Sequence, residues 1–281
     1  MKHQLKFHKM QGLGNDYIYV NCLEQPLNDA ANLAKKLSDR RFGIGSDGLI
    51  LICPSNNSDF KMIMHNPDGS EGTCGNGLRC VAKYVYDLGF TKQKNLSIET
   101  NAGQKMVELI VDKKDNKVVS VCVDMGEPIL DSSLVPVISA NKNVIDEDFQ
   151  IGNLKLKLNC VSMGNPHAIF FVDKINDHLV LEIGPIIETH EKFPKRTNVE
   201  FVEVINRQEL NIRVWERGTG ETLACGTGAC ATAVAAALNQ LTERKVTLHF
   251  RGGDILINWA ENNHVYQTGP AEFVFEGMIS Y

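Results

Sequence analysis

The chain repeats itself at an offset of 150 residues, and this constrains its fold more than any other feature. Gly14 and Asn15 fall on Gly164 and Asn165 (164 − 14 = 150), and Glu71 falls on Glu221 at the same spacing. The run Cys74-Gly75-Asn76-Gly77 then matches Cys225-Gly226-Thr227-Gly228 at 225 − 74 = 151, so the loop ahead of the first cysteine is one residue shorter than its counterpart. Colinear matches over so long a stretch mark a duplicated structural unit, because glycine-rich loops that resemble each other by chance do not keep one offset.

The periodicity around these matches is the same in both halves. Ile18–Asn21 and Ala168–Val172 read as strands, as do Phe60–His65 and Leu210–Trp215, and each of the latter pair runs into a polar loop that delivers the cysteine. Leu78–Leu88 and Ala229–Leu238 have the composition and length of buried helices of about three turns. Gly89 is placed to close the first. A strand, a glycine turn and another strand follow each helix: Leu96–Thr100, Ala102-Gly103 and Met106–Val111, then Val246–Phe250, Gly252-Gly253 and Ile255–Trp259. Asp112–Lys117 reads as a charged hairpin turn. The boundary is expected near Gly126-Glu127-Pro128, giving domains over 1–125 and 126–269, with 270–281 and its strand Glu272–Phe275 returning to the first. The fold class is therefore α+β, two copies of one unit.

A chain of 281 residues is long for one core and comfortable for two domains. Its 43% hydrophobic and 22% charged residues are ordinary for a globular protein, and no apolar run reaches the 18 or so residues of a membrane span. No secretory signal is read in Met1–Gly14, so the expected compartment is the cytoplasm. A net charge of −5 without a basic stripe gives no electrostatic footing for nucleic acid or an anionic membrane. A small polar substrate is the better partner, and a second copy of the chain, as a homodimer, is the expected assembly.

Of the eight cysteines, Cys22, Cys53, Cys122 and Cys160 lie in or beside strand-like runs and read as small core hydrophobes, as do Cys80 and Cys230 inside the helices. No C-x2-C spacing or nearby histidine pair suggests a metal. Gly43-Ile44-Gly45-Ser46-Asp47-Gly48 fits a dinucleotide-binding pattern but precedes the apolar strand Leu49–Cys53 instead of following one, so no nucleotide site is expected there. Cys74 and Cys225 differ from the rest. A cysteine just ahead of a helix sits at the positive end of the helix dipole, which is expected to lower its pKa from about 8.5 toward neutrality. The glycines beside it leave backbone N–H groups open to a carboxylate. Two such loops suit a reaction that removes a proton from one face of a carbon and returns it on the other, with the carbanion charge spread into a carboxylate held at the helix starts. No electron-sink cofactor is then required.

At these residues the sequence resembles the diaminopimelate epimerase family. The segments that carry the resemblance are KMQGLGNDYIYV from Lys9, RRFGIGSDGLI from Arg40, NPDGSEGTCGNGLRC from Asn66, MGNPHAIFFV from Met163, RTNVEF from Arg196 and WERGTGETLACGTGACA from Trp215. The resemblance spans the whole chain. It implies two pseudo-symmetric domains, each an antiparallel barrel-like sheet around a central helix, and cofactor-independent interconversion of LL- and meso-diaminopimelate in lysine and peptidoglycan-precursor synthesis. Carried over by motif, Cys74 acts on the L centre and Cys225 on the D centre. Gly75, Asn76, Gly226 and Thr227 hold the reacting carboxylate. Asn15, Asn66, Asn165, Asn198, Glu216 and Arg217 hold the amino groups and the distal end of the substrate, and His167 and Glu216 orient or deprotonate the thiols. Two departures stand out: only Gly72-Thr73 lies between the Asp-Gly-Ser-Glu segment and Cys74, and position 48, glutamine in some members, is glycine here.

Other readings remain at this point. A racemase on the same fold acting on another amino acid, such as histidine, or on a sulfur-containing diaminopimelate analogue would carry the same thiol pair. Arg217 with Asn165 and Asn198 argues instead for a substrate with a second carboxylate. A ligand-binding module would not need both cysteine loops, and a carboxylate-based isomerase of related fold would need neither.

Overall fold

A computed structural model describes residues 4–72 and 74–281. Its contacts divide the chain into two compact units, one running up to Val123 and completed by Gly269–Tyr281, the other covering Asp124–Thr268. The first holds strands β1 (Gln4–Gly12), β2 (Asn15–Asn21), β3 (Leu49–Cys53), β4 (Phe60–His65), β5 (Glu71–Gly72), β6 (Asn95–Thr100), β7 (Gly103–Val111) and β8 (Val118–Asp124), with helices α1 (Ala30–Ser38) and α2 (Gly75–Asp87). The second holds β9 (Glu147–Ile151), β10 (Leu154–Ser162), β11 (Pro166–Phe171), β12 (Asn198–Asn206), β13 (Glu209–Glu216), β14 (Gly220–Thr222), β15 (Lys245–Phe250), β16 (Gly253–Trp259) and β17 (Val265–Gly269). Its helices are a π-helical turn at His178–Ile183, α3 (Gly184–Glu188) and α4 (Gly226–Leu238). The last strand, β18 (Glu272–Ser280), runs antiparallel along β1, Phe7 opposite Gly277, and so takes the place beside β1 that β9 takes beside β10.

The repeat seen in sequence is a repeat of strand register. β2 and β3 pair in parallel with Tyr19 opposite Ile50, and β11 and β12 pair in parallel with Ile169 opposite Glu200. Phe60 faces Ile98 across β4 and β6 as Leu210 faces Leu248 across β13 and β15. Leu96 faces Val107 as Val246 faces Ile257. Each of these residues has its counterpart 150 positions on. Because side chains alternate between the faces of a sheet, equal register puts the same positions on the same face in both units.

In the first unit β2 and β3 are covered on both sides, which is why Leu49–Ile52 is an unbroken apolar run without alternation. Ile18, Val20, Leu49 and Leu51 pack with Leu33, Ala34 and Leu37 of α1. On the other side Tyr19 and Ile50 reach α2: the Tyr19 hydroxyl lies 3.5 Å from the Gly77 carbonyl, and Ile50 crowds Gly77 itself. Fully burying a side chain of this size contributes about 1.5–3 kcal/mol before entropy is counted. α2 begins on Cys74, whose extended backbone (φ −148°) leaves the helix at that point, and ends at Leu88. Gly89, at φ +83°, turns the chain so that the Phe90 amide reaches the Val85 carbonyl at 2.9 Å.

The second unit is built alike. Phe149, Leu158, Phe170, Val180, Ile187 and Phe201 form a core beneath the π-helical turn and α3. α4 lies against β10, β11, β12, β15 and β16. Its alanines 229, 231, 233, 235 and 236 are buried, their small size letting strands close in around the helix. The chain is thus α+β, each sheet wrapped round one central helix. Among the described residues no helix is long and apolar enough to cross a membrane. Cys80, Cys160 and Cys230 are buried as expected, whereas Cys22, Cys53 and Cys122 are only half-buried. The first two stand at strand ends, at the rim of the core cluster and not within it.

Candidate active site

In the first unit Cys74 is the N-cap of α2, and its sulfur accepts the Gly77 amide at 3.3 Å. Its S–H donates to Oδ1 of Asn15, 3.0 Å away at the start of β2. The Tyr17 hydroxyl lies near enough to the sulfur to favour its thiolate. Asn15 is fixed in turn by Asp47, which accepts its Nδ2 at 2.7 Å. Arg40 ties Asp47 to Asp16 through contacts of 2.9 and 2.6 Å, and Lys9 reaches Asp16 at 2.6 Å. Burial alone would raise the Asp16 carboxyl, but hydrogen bonds from Arg40 and Lys9 hold it below its ordinary range. Asn76 stands in the first turn of α2, where its Oδ1 accepts from the buried Arg79 guanidinium at 2.9 Å. Asn66 closes its own turn by donating to the Ser70 hydroxyl at 3.0 Å. At Gly48 a Cβ would meet the His65 carbonyl at 2.3 Å, so glutamine does not fit this backbone.

In the second unit Cys225 is the N-cap of α4, buried to 5% exposure, with the Thr227 hydroxyl 3.6 Å from its sulfur. The first amides of the helix, at Gly226 and Thr227, have no acceptor within it and are open to an anion. His167 lies on β11 with its imidazole between two partners, Nδ1 2.6 Å from Glu200 Oε1 and Nε2 3.1 Å from Asn165 Oδ1. Asn198 is buried and engaged at both ends: Nδ2 donates to the Pro166 carbonyl at 2.9 Å, and Oδ1 accepts the Arg217 amide at 2.9 Å. Glu216 accepts the Thr222 hydroxyl at 2.5 Å. Arg217 is exposed, its guanidinium donating to the Lys195 carbonyl at 3.1 Å. The loop it shares is further held by Glu188, which accepts the Trp215 indole N–H at 2.8 Å and the Gly218 amide at 2.9 Å.

The expectation that the helix dipole lowers both thiols is corrected by this geometry. Loss of water around the sulfur pushes Cys74 up, outweighing the Gly77 amide and the Tyr17 hydroxyl that favour its thiolate. Cys225 is pushed well above the ordinary thiol value, first by burial and then by the negative charges of Glu216 and Glu200, against which Thr227 and the Gly228 amide weigh less. The dipole acts only through the first turn and amounts to at most about 2 kcal/mol, less than the desolvation of an anion enclosed as Cys225 is; Cys74 is only half-buried, and its shift is upward by the same cause.

The structure brings Asn15, Asn76 and Cys74 together in one unit and Asn165, His167, Glu216, Thr227 and Cys225 in the other. It also adds residues the sequence reading passed over. Arg79 holds Asn76, Tyr17 lies near the Cys74 sulfur, and Glu200 lies beneath His167. Glu200 could have been found from the repeat, since it is an acid where residue 200 − 150 = 50 is Ile50.

The family model for diaminopimelate epimerase matches residues 7–130 and 159–274. A diaminopimelate epimerase of Acetivibrio thermocellus is 55% identical over 277 residues, covering 98% of each chain. Another, of Methanococcus maripaludis, is 53% identical over 277 residues, covering 98% of this chain and 99% of that one. Among solved structures, a phenazine biosynthesis protein of the PhzF family from Bacillus anthracis superposes with a TM-score of 0.68 at 15% identity over 99% of both chains, which shows a shared fold. With the family model matching most of the chain and relatives more than half identical along its length, the chain belongs to the diaminopimelate epimerase family.

Proposed function

We propose that this protein interconverts LL- and meso-diaminopimelate, with Cys74 and Cys225 as the two proton carriers at the α-carbon. The observation that carries the reading is the matched placement of the two cysteines. Each is the N-cap of the central helix of its unit, and each is followed by glycine, whose bare backbone leaves the first amides open. One thiol, as thiolate, takes the α-proton while the other, still protonated, delivers its own to the opposite face. The amides of Gly75, Asn76, Gly226 and Thr227 stabilise the charge that develops on the carboxylate, so the reaction runs without an electron-sink cofactor. Since both resting thiols favour the protonated form, one must pass its proton to a neighbour before turnover. At Cys225 the group assigned that role is Glu216, whose carboxylate acts on the thiol.

Asn15, Asn66, Asn165, Asn198 and Arg217 hold the remainder of the substrate in this reading, with Arg217 as the cation for a distal carboxylate. Its exposed guanidinium, which among the described residues donates to a backbone carbonyl alone, can swing onto such a group. The cytoplasm and a homodimer complete the proposal. The first suits a mechanism that needs Cys74 and Cys225 as thiols, and the second suits the exposed Val274, Phe275 and Met278 along β18.

Solvent deuterium incorporation at Cα tests the assignment. The purified protein in D2O is expected to label LL-diaminopimelate and to leave histidine and lysine unlabelled. Faster labelling of histidine than of diaminopimelate overturns the substrate, and labelling of none overturns the reaction.

A further inference from the structure

The two units differ most where their repeat is otherwise closest. A Cβ built on Gly77 would meet Ile50 Cδ1 at 2.6 Å, and one built on Gly228 would meet Glu200 Oε1 at 2.6 Å. The same register position beneath the same helix turn is therefore a methyl in one unit and a carboxyl in the other. A fold that closes over Ile50 does not need an acid there, yet Glu200 is 0% exposed and its Oε2 has no hydrogen-bond partner among the described residues. An unpartnered buried oxygen of this kind is destabilising, and more so if it is charged. The second substitution accompanies it: where the repeat has Tyr17, 150 residues before, this unit has His167.

We propose that Glu200 is a positioning residue that fixes His167 as a donor through Nε2, and thereby sets the Asn165 side-chain amide with its NH2 group toward the substrate carboxylate. The chemistry follows from counting protons over three groups. Nδ1 and Oε1 are 2.6 Å apart, so one proton lies between them. If the carboxyl holds it, Nδ1 is an acceptor and a neutral imidazole must carry its own hydrogen on Nε2. If the proton passes to Nδ1 while Nε2 keeps its hydrogen, the ring is an imidazolium. Nε2 is an N–H in both forms. The remaining form, an ionised Glu200 facing a neutral ring protonated on Nδ1 alone, leaves a full negative charge buried with one oxygen bare. Burial opposes that form and holds the Glu200 carboxyl above its ordinary range.

With Nε2 a donor, the atom of Asn165 at 3.1 Å must be its oxygen, and Nδ2 is turned away from the ring. That Nδ2 makes no hydrogen bond within the described residues, and Asn165 is half-buried beside the open turn. In the first unit the corresponding Asn15 has no such freedom: its oxygen accepts from Cys74 and its nitrogen donates to Asp47. The asymmetry gives the second unit an amide donor committed to a ligand, and a carboxylate is the ligand such a donor complements. This assignment rests on the proposed substrate bearing carboxylates, but the tautomer does not depend on it.

The test begins on the wild-type protein labelled with 15N-histidine, its His167 resonances identified by their loss in H167Q. Long-range 1H–15N correlation at neutral pH is expected to show a protonated Nε2; an unprotonated Nε2 overturns the proposal without any variant of Glu200. Kinetics then read the consequence. Glu200→Gln can still donate to Nδ1 and should keep KM for LL-diaminopimelate within about 3-fold. Glu200→Leu frees the ring and should raise KM at least 10-fold, about 1.4 kcal/mol. A folded Leu variant with unchanged KM overturns the link to substrate. Absence of epimerisation by the wild type, with Nε2 protonated as expected, counts against the proposed function and leaves the tautomer standing.

Discussion

The guanidinium of Arg79, fully buried, donates to Asn76 Oδ1 at 2.9 Å and to the Pro270 carbonyl at 3.1 Å. One charged side chain thus braces the first turn of α2 against the start of the returning C-terminal segment. Replacing it with leucine leaves two acceptors without their donor, each costing about 1–3 kcal/mol. Arg79→Leu is expected to lose about 2 to 4 kcal/mol in urea unfolding monitored by circular dichroism. It should also weaken substrate binding, because Asn76 is no longer held. Unchanged stability would show that Arg79 only fills space.

Under the proposed mechanism, alanine at Cys74 or Cys225 removes the proton carrier on one face of the α-carbon. Cys74→Ala and Cys225→Ala are each expected to lower kcat for LL-diaminopimelate epimerisation by about 1000-fold or more, within the range ascribed to positioned acid–base groups. Retention of more than a few per cent of turnover by either variant removes the two-thiol mechanism.

The raised thiols give a pH signature with a definite sign. A thiol in the unfolded chain ionises near 8.5. Burial makes the folded chain hold its protons at Cys74 and Cys225 to higher pH. Their contribution to stability is therefore complete below about pH 8.5 and is lost as pH rises above it through the folded values. Iodoacetamide labelling of these two residues, followed by peptide mass spectrometry without substrate, should be slow at pH 7 and still accelerating above pH 9. A plateau at or below pH 8 would show thiolates formed at neutral pH instead.

Arg217→Met separates a substrate cation from a loop residue. Loss of a charged, bidentate hydrogen bond to the distal carboxylate should reduce kcat/KM for LL-diaminopimelate roughly 100-fold, about 2.7 kcal/mol of transition-state binding. If the resting contact with the Lys195 carbonyl is the whole of its role, kcat/KM will be unchanged.

The sequence made the duplicated architecture legible because register and glycine turns are local and periodic. Phe60–His65 and Leu210–Trp215 could be read as strands from alternation, and the two Cys-Gly-x-Gly runs announced equivalent helix starts. The side chains around those starts were less accessible. Glu200 sits in β12, Asn198–Asn206, where it and Glu203 both read from sequence as surface positions, and only the alignment of Glu200 with Ile50 shows that it points inward. The protonation of Cys74 and Cys225 was misjudged for a related reason. A helix dipole follows from sequence position alone, whereas the stronger effect, exclusion of water by residues distant in the chain, needs the folded surroundings.

The pairing of β18 with β1 bears on the order in which the protein is assembled. The second unit is one unbroken stretch, so its strands can close as soon as they leave the ribosome. The first unit is begun earlier and finished later. Until Glu272–Ser280 arrives, the flank of β1 that β18 will cover has no partner, although most of that unit's chain has long been synthesised. An uncovered strand edge is a template for mispairing. The interval in which the second unit is made is thus the period of greatest exposure for the first, and a nascent chain stalled within it carries a finished domain beside an open one.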